Sequence, residues 1–211
     1  MNTVPIEVYL SESFGLDEKH ASIKPIGSGH INTTMLLSTS KRSLVVQKLN
    51  TVVFPKPQLL VDNARLIEQH LSKKQQAGEF NLAIVRHVAT TQNDYLVNND
   101  DDTWRALEFI GGSYSEDVVN TASQAQTAAN AFGQFAQALQ DFDANNLHAV
   151  IPNFHNLAMR AEVFKQVVST DPHKRLAHCQ EEVDFCLSQL SLIDELNALE
   201  GKVPIRVCHN D

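Results

Sequence analysis

The sequence predicts a two-lobed α+β chain, with an antiparallel sheet and one helix over residues 1–110 and a mainly helical region over 111–211. Three observations predict it. Short β-branched and apolar runs surround a single helical pattern in the first 110 residues, whereas residues 121 to 200 are almost purely helical. Between them stands Gly111-Gly112, a natural hinge because glycine tolerates the dihedral changes that other residues resist.

The elements follow in order. Ile23 to Ser38 reads as two short strands flanking Gly27-Ser28-Gly29, and Ser43 to Leu49 as a third, β-branched strand. Pro55 and Pro57 introduce a helix from about Gln58 to Leu71, whose apolar Leu60, Ala64, Ile67 and Leu71 recur at three- and four-residue spacing. Further strands are expected at Ala83 to Val88, at Tyr95 to Val97 and, after the acidic turn Asn98 to Asp102, at Trp104 to Ile110. That turn lacks the spacing and terminal Glu of a calcium loop.

Beyond the hinge, Ala125, Ala128, Phe132, Phe135 and Leu139 form one stripe of a long helix. Ile151 to His155 interrupts helicity. A helix follows from about Leu157 to Val168, and Asp171-Pro172 fits an Ncap-then-N1 start of the next. The final helical turns end at Gly201, and Val203 to Cys208 is expected to be a strand presenting His209-Asn210-Asp211.

Composition excludes several partner classes. Seventeen basic against 25 acidic residues, a net charge of −8 and no cationic block argue against nucleic acid. The N-terminus has neither a basic start nor a long apolar stretch, and nothing later has the length of a membrane span, so a cytoplasmic, membrane-free protein is expected. Cys179 and Cys186, seven residues apart in a helical pattern, lie about 10 Å apart along the axis and cannot bridge. The three cysteines read as small core hydrophobes, and no structural metal is implied.

Candidate binding residues come from the strands. A glycine turn at Gly27-Ser28-Gly29 lets backbone N–H groups approach a phosphate, and the strands on either side of it argue against a dinucleotide-binding turn, after which a helix follows. His30 and Asn32 can add polar contacts. Lys48 shares a strand face with Leu44 and Val46, where a cation ending an apolar face can anchor phosphates; Gln47 is on the other face, so a register error of one residue exchanges their roles. An acidic partner for the cation comes from the following helix, with Glu68, Asp62 and, as a neutral substitute, Asn63 as candidates. The backbone of Glu108 and Ile110, at the strand end before the glycine pair, is suited to an adenine edge.

Gly27-Ser-Gly-His-Ile-Asn-Thr-Thr34, Val46-Gln-Lys-Leu-Asn-Thr-Val-Val-Phe54, Trp104-Arg with Phe109-Ile110, Phe132-Gly-Gln-Phe135, Asp141-Phe-Asp143 and Ile151-Pro-Asn-Phe-His155 together resemble the N-acetylhexosamine kinases that phosphorylate at the anomeric carbon. That group lies within the aminoglycoside/choline-kinase-like phosphotransferases, whose catalytic loop the terminal His209-Asn210-Asp211 also resembles. The resemblance implies a bilobal protein-kinase-like fold, with residues 1–110 as the nucleotide-binding lobe and 111–211 as a partial, incomplete helical lobe.

It also implies ATP-dependent phosphorylation of a sugar hydroxyl with Mg2+. Asp211 would accept or orient the hydroxyl proton, and His209 would brace the loop through hydrogen bonds. Gly27, Ser28, Gly29, His30, Lys48, Glu68, Glu108 and Ile110 would hold the nucleotide, with the metal ligands expected beyond residue 211. A kinase for another hydroxylated metabolite, of the aminoglycoside, choline or homoserine type, and a non-catalytic nucleotide- or sugar-binding pseudokinase remain the alternatives.

Overall fold

The computed structural model describes residues 4–16, 20–27 and 29–209. The chain packs as two compact units, one comprising residues up to Val150 together with the segment from Arg206, the other Ile151–Ile205.

The first unit is built on one antiparallel sheet. Its elements are helix α1 (Ile6–Ser13), strands β1 (Ser22–Pro25), β2 (Thr33–Ser38) and β3 (Ser43–Leu49), helix α2 (Pro57–Gln76), strands β4 (His87–Val88), β5 (Val97–Asn99) and β6 (Asp102–Glu108), and helix α3 (Ala122–Ala138). Strands lie in the order β1-β2-β3-β6-β4, with β5 also paired to β6. The hairpins anticipated around the glycine turn and the acidic turn are both present.

Alternation divides the sheet into two faces. Leu37, Leu44, Val46, Trp104 and Ala106 point to one face, and α1 covers them with Leu10 and Phe14 to form a core cluster. Leu37, Leu44 and Val46 are fully buried, each worth about 1.5–3 kcal/mol in transfer terms. This helix is an addition to the expected single helix: a short segment with little periodicity becomes helical because an apolar sheet face needs a lid.

On the opposite side, Leu71 of α2, Phe80, and Ala138 and Leu139 at the end of α3 form a second cluster, against which Ile67, Leu82, Ile84, Phe135 and Val207 pack. Residues 83–86 therefore belong to a packed loop, and only His87 and Val88 of the expected strand pair with β6. The run 203–208 has no strand either. Pro204 within it has no N–H to give a ladder.

Helix starts follow local chemistry. Pro57 occupies the first turn of α2, where an N–H has no intrahelical partner anyway. Thr121 and Gln124 make a reciprocal capping box on α3. Asn63 of α2 clamps His148 by donating to its carbonyl and accepting from its N–H, both at 2.8 Å.

The second unit contains α4 (Leu157–Thr170), α5 (Gln180–Ser188) and α6 (Leu192–Asn197). Asn156 caps α4 by accepting from the Met159 N–H at 3.0 Å. Asp171 does not start the next helix: it closes α4 in the left-handed conformation, φ 36° and ψ 58°, while its carboxylate accepts from the N–H groups of Arg175 and Leu176. The following helix starts only at Gln180. Cys186 and Cys208 are exposed and Cys179 is half-buried, so the thiols are not the core hydrophobes expected.

Candidate active site

The α2-facing side of the sheet carries a connected set of polar side chains. Gln47 of β3 stands opposite Arg105 of β6, and His87 of β4 opposite Leu107, so Gln47, Arg105 and His87 project to one face. Gln47 Nε2 donates to Thr34 Oγ1 at 3.0 Å, and its Oε1 accepts from Arg105 Nε at 2.9 Å. Arg105 Nη1 reaches His87 Nε2 at 3.3 Å. Glu68 of α2 completes the set, its Oε2 accepting from the His87 backbone N–H at 3.0 Å and facing His87 Nδ1 at 3.1 Å.

The network assigns the His87 tautomer. Nδ1 carries the proton toward the carboxylate, leaving Nε2 as the acceptor for the guanidinium. Arg65 pairs with the other Glu68 oxygen at 3.3 Å and lies 4.0 Å over the Tyr95 ring. Glu68, only 8% exposed, thus has its oxygens met by His87 and Arg65, as a buried polar group requires.

Burial holds the His87 pKa below its ordinary 6.5, and the Arg105 charge lowers it further, against the pull of Glu68. Burial also brings Arg105 down to about 10, so it remains a cation at neutral pH. Around His87 the charged groups are Glu68 and Arg65 from α2 and Arg105 from β6. Because the folded pKa of His87 is the lower one, the unfolded chain takes up the proton first on acidification. The contribution of His87 to stability is complete above about 6.5 and is lost as the pH falls from there through the folded value. We expect the urea midpoint to fall in this window, with His87→Gln flattening that part of the profile. The same pH dependence in wild type and variant would remove His87 as the cause.

The structure places the sequence candidates as follows. Lys48 shares the face of Leu44 and Val46, as alternation requires, but that is the face α1 covers; its Nζ is 3.5 Å from Asp102 Oδ2. It is not brought to Glu68, and Gln47 holds the α2-facing position instead. Of the other acidic or neutral candidates, Asp62 accepts from Gln58 and Asn63 clamps His148. The Glu108 carboxylate lies 3.6 Å from Arg42, and its N–H donates to the Arg86 carbonyl at 2.8 Å. The Ile110 carbonyl accepts from Ser113 Oγ at 2.6 Å.

Gly27 adopts φ +73°, a conformation that favours glycine, and Gly29 and His30 lie exposed beside it. Asn32 Oδ1 accepts from the Asn50 N–H at 3.0 Å, tying this turn to the end of β3. Ser28, Asn210 and Asp211 lie outside the described residues. His209 stands edge-on to Phe132 and Phe135 of α3, with ring centroids at 5.2 and 6.3 Å.

Ile67, Glu68, His87, Arg105, Phe135 and His209 all line a cleft of about 650 Å³ within the first unit. It combines an apolar wall with a half-buried cation, Arg105. Arg105 and His87 were absent from the sequence-derived set, although a charged residue between Trp104 and Leu107, on a strand otherwise rich in apolar residues, was a readable signal. Among the described residues no group of three or more His, Cys, Asp or Glu side chains is placed to hold a metal ion. No helix of the described residues is long and apolar enough to cross a membrane.

Comparison with known proteins gives a family match and several solved structures, among them two phosphotransferases. The profile of the Phosphotransferase enzyme family (APH) matches residues 22–211. An aminoglycoside phosphotransferase from Alicyclobacillus acidocaldarius subsp. acidocaldarius DSM 446 is 18% identical, with a TM-score of 0.46, covering 83% of this chain and 46% of its own. A spectinomycin phosphotransferase in complex with ADP and spectinomycin is 12% identical, with a TM-score of 0.47, covering 98% of this chain and 61% of its own. The chain thus spans less than two thirds of the length of either.

Proposed function

The chain belongs to the Phosphotransferase enzyme family, and from that premise we propose that it serves ATP-dependent transfer of a phosphoryl group to a sugar hydroxyl, that of an N-acetylhexosamine at its anomeric carbon. The observation that carries the reading is the shared cleft: His209, two residues before Asp211, lines the same cavity as the buried polar set of β6, β4 and α2. Transfer needs a nucleotide and a proton acceptor side by side, and a cleft lined by both Arg105 and His209 supports that reading.

In this reading the Gly27 to His30 turn approaches the phosphates and the Glu108 to Ile110 backbone meets the adenine edge. Asp211 takes the proton of the acceptor hydroxyl as its oxygen forms the new P–O bond to the γ-phosphorus. The bond between that phosphorus and the β,γ-bridging oxygen breaks, and ADP leaves with the electron pair. Magnesium, when bound, neutralises phosphate charge; the described residues form no cluster for it, so no step here runs through it. The Gln47 to Phe54 and Ile151 to His155 sequences support the phosphotransferase superfamily, and the amino-sugar acceptor rests on their resemblance to the N-acetylhexosamine kinases. A cytoplasmic location, where ATP is available, accompanies the proposal.

The test is ADP release by a protein that carries the metal ligands expected beyond residue 211, measured with N-acetylglucosamine, N-acetylgalactosamine, choline, homoserine and an aminoglycoside in turn; residues 1–211 alone are expected to be inactive. We expect release with an N-acetylhexosamine. Turnover only with another acceptor overturns the sugar assignment and keeps the transferase. Nucleotide binding without turnover on any acceptor replaces the enzyme with a binding module.

A further inference from the structure

Arg105 is a half-buried cation with an unusual set of partners. Two of its N–H donors go to neutral acceptors, Gln47 Oε1 and His87 Nε2. The nearest carboxylate described in the network is Glu68, which lies on the far side of the imidazole and is already claimed by Arg65 and by two donors of His87. A guanidinium has five N–H donors in a planar fork, suited to an oxyanion. Taking such a group out of water against neutral acceptors is costly, and an anion entering the cleft offsets that cost.

The neighbouring cations are otherwise engaged. Arg65 lies over Tyr95 and on Glu68, Arg86 donates to Ser72 and Gln75, and Lys48 is on the other face beside Asp102. Had Glu68 met Arg105 directly, the pair would neutralise itself. The imidazole between them instead orients the guanidinium and leaves its charge available to the cavity that Arg105 lines.

We propose that Arg105 is the cation that binds the phosphates of the nucleotide, with Gln47 and His87 fixing the plane of its guanidinium, so that an arginine of β6 performs the anchoring expected of Lys48. This rests on the phosphotransferase reading. Arg105 is a binding residue in this arrangement; His87 and Glu68 position it.

The experiment compares the affinities of ATP and adenosine for the wild-type protein, Arg105→Gln, Arg105→Lys and Lys48→Ala by calorimetry. Loss of a charge-assisted contact weakens ATP about 10- to 100-fold. We expect Arg105→Gln to show that loss with adenosine unchanged, Arg105→Lys to recover part of it, and Lys48→Ala to match wild type. Equal weakening of ATP and adenosine in Arg105→Gln would assign the residue a structural role and overturn the proposal, as would loss of ATP affinity in Lys48→Ala alone.

A second measurement needs no variant. In the folded wild-type protein, ATP should slow phenylglyoxal modification of Arg105, read by peptide mass, and adenosine should not; equal modification with both would overturn the proposal. Wild-type protein that binds no ATP removes the nucleotide reading itself, an outcome separate from ATP binding that ignores Arg105.

Discussion

In the active protein, Asp211→Asn is expected to lower kcat by about 100- to 10,000-fold, the range for removing a general base, with ATP affinity nearly unchanged. The amide keeps the size and hydrogen-bonding reach of the carboxylate but accepts no proton at neutral pH. The described residues just before it are well packed. Val207 packs against the cluster of Leu71, Phe80, Ala138 and Leu139, and His209 is held edge-on by Phe132 and Phe135. His209 also lines the cleft that Glu68, His87 and Arg105 line. Steady-state kinetics with the accepted sugar decide the matter: near-normal kcat in the variant removes Asp211 from the mechanism, and an equal loss of ATP affinity assigns it a binding role.

The elements that sequence made legible are those in which local chemistry and packing agree. Ser43–Leu49 is β-branched and alternating and is a strand over the expected span. Pro57 and the three- and four-residue spacing from Leu60 marked α2, which continues past Leu71 to Gln76. Alternation also sorted Leu44, Val46 and Lys48 onto one face. It carries no information about which helix covers which face, because that is decided by α1 and α2 packing from opposite sides of the sheet. Hence Lys48 fell on the α1 side and Gln47 on the α2 side.

Other differences share that origin. Asp171-Pro172 carries the composition of a helix start, yet the same proline that suits N1 also ends the preceding helix, and Asp171 accepts the left-handed conformation there. Val203 to Cys208 has strand composition without an available ladder. Ala83 to Arg86 has it too, but Ile84 packs on the second core cluster. The site was half legible for a related reason. His209 stands out in one dimension as part of a recognisable motif and does line the cleft, whereas Arg105, His87 and Glu68 lie 18 and 19 residues from one another in sequence and meet only through the sheet register and the α2 packing.

Glu68→Ala is expected to destabilise the first unit by about 3–5 kcal/mol, the cost of leaving buried charge and donors without their partner. The carboxylate accepts from the His87 backbone N–H and faces the His87 ring N–H and Arg65, with 9% of its side chain exposed. Truncation leaves those donors in a site too closed for water to replace the carboxylate fully. The opposite substitution separates stability from function. Replacing the set together, Glu68→Met with His87→Leu and Arg105→Met, removes the desolvated charges and fills similar volume but leaves the His87 backbone N–H, Arg65 and Gln47 Oε1 without these partners, so stability should fall less than in Glu68→Ala. ATP affinity in that triple variant should nevertheless be lost, since no guanidinium remains to meet the phosphates. Urea unfolding gives the first quantity and calorimetry the second. A triple variant that binds ATP as wild type does would show that the buried network serves the fold alone; one as unstable as Glu68→Ala would show that the polar set, rather than its unpaired remnants, holds α2 to the sheet.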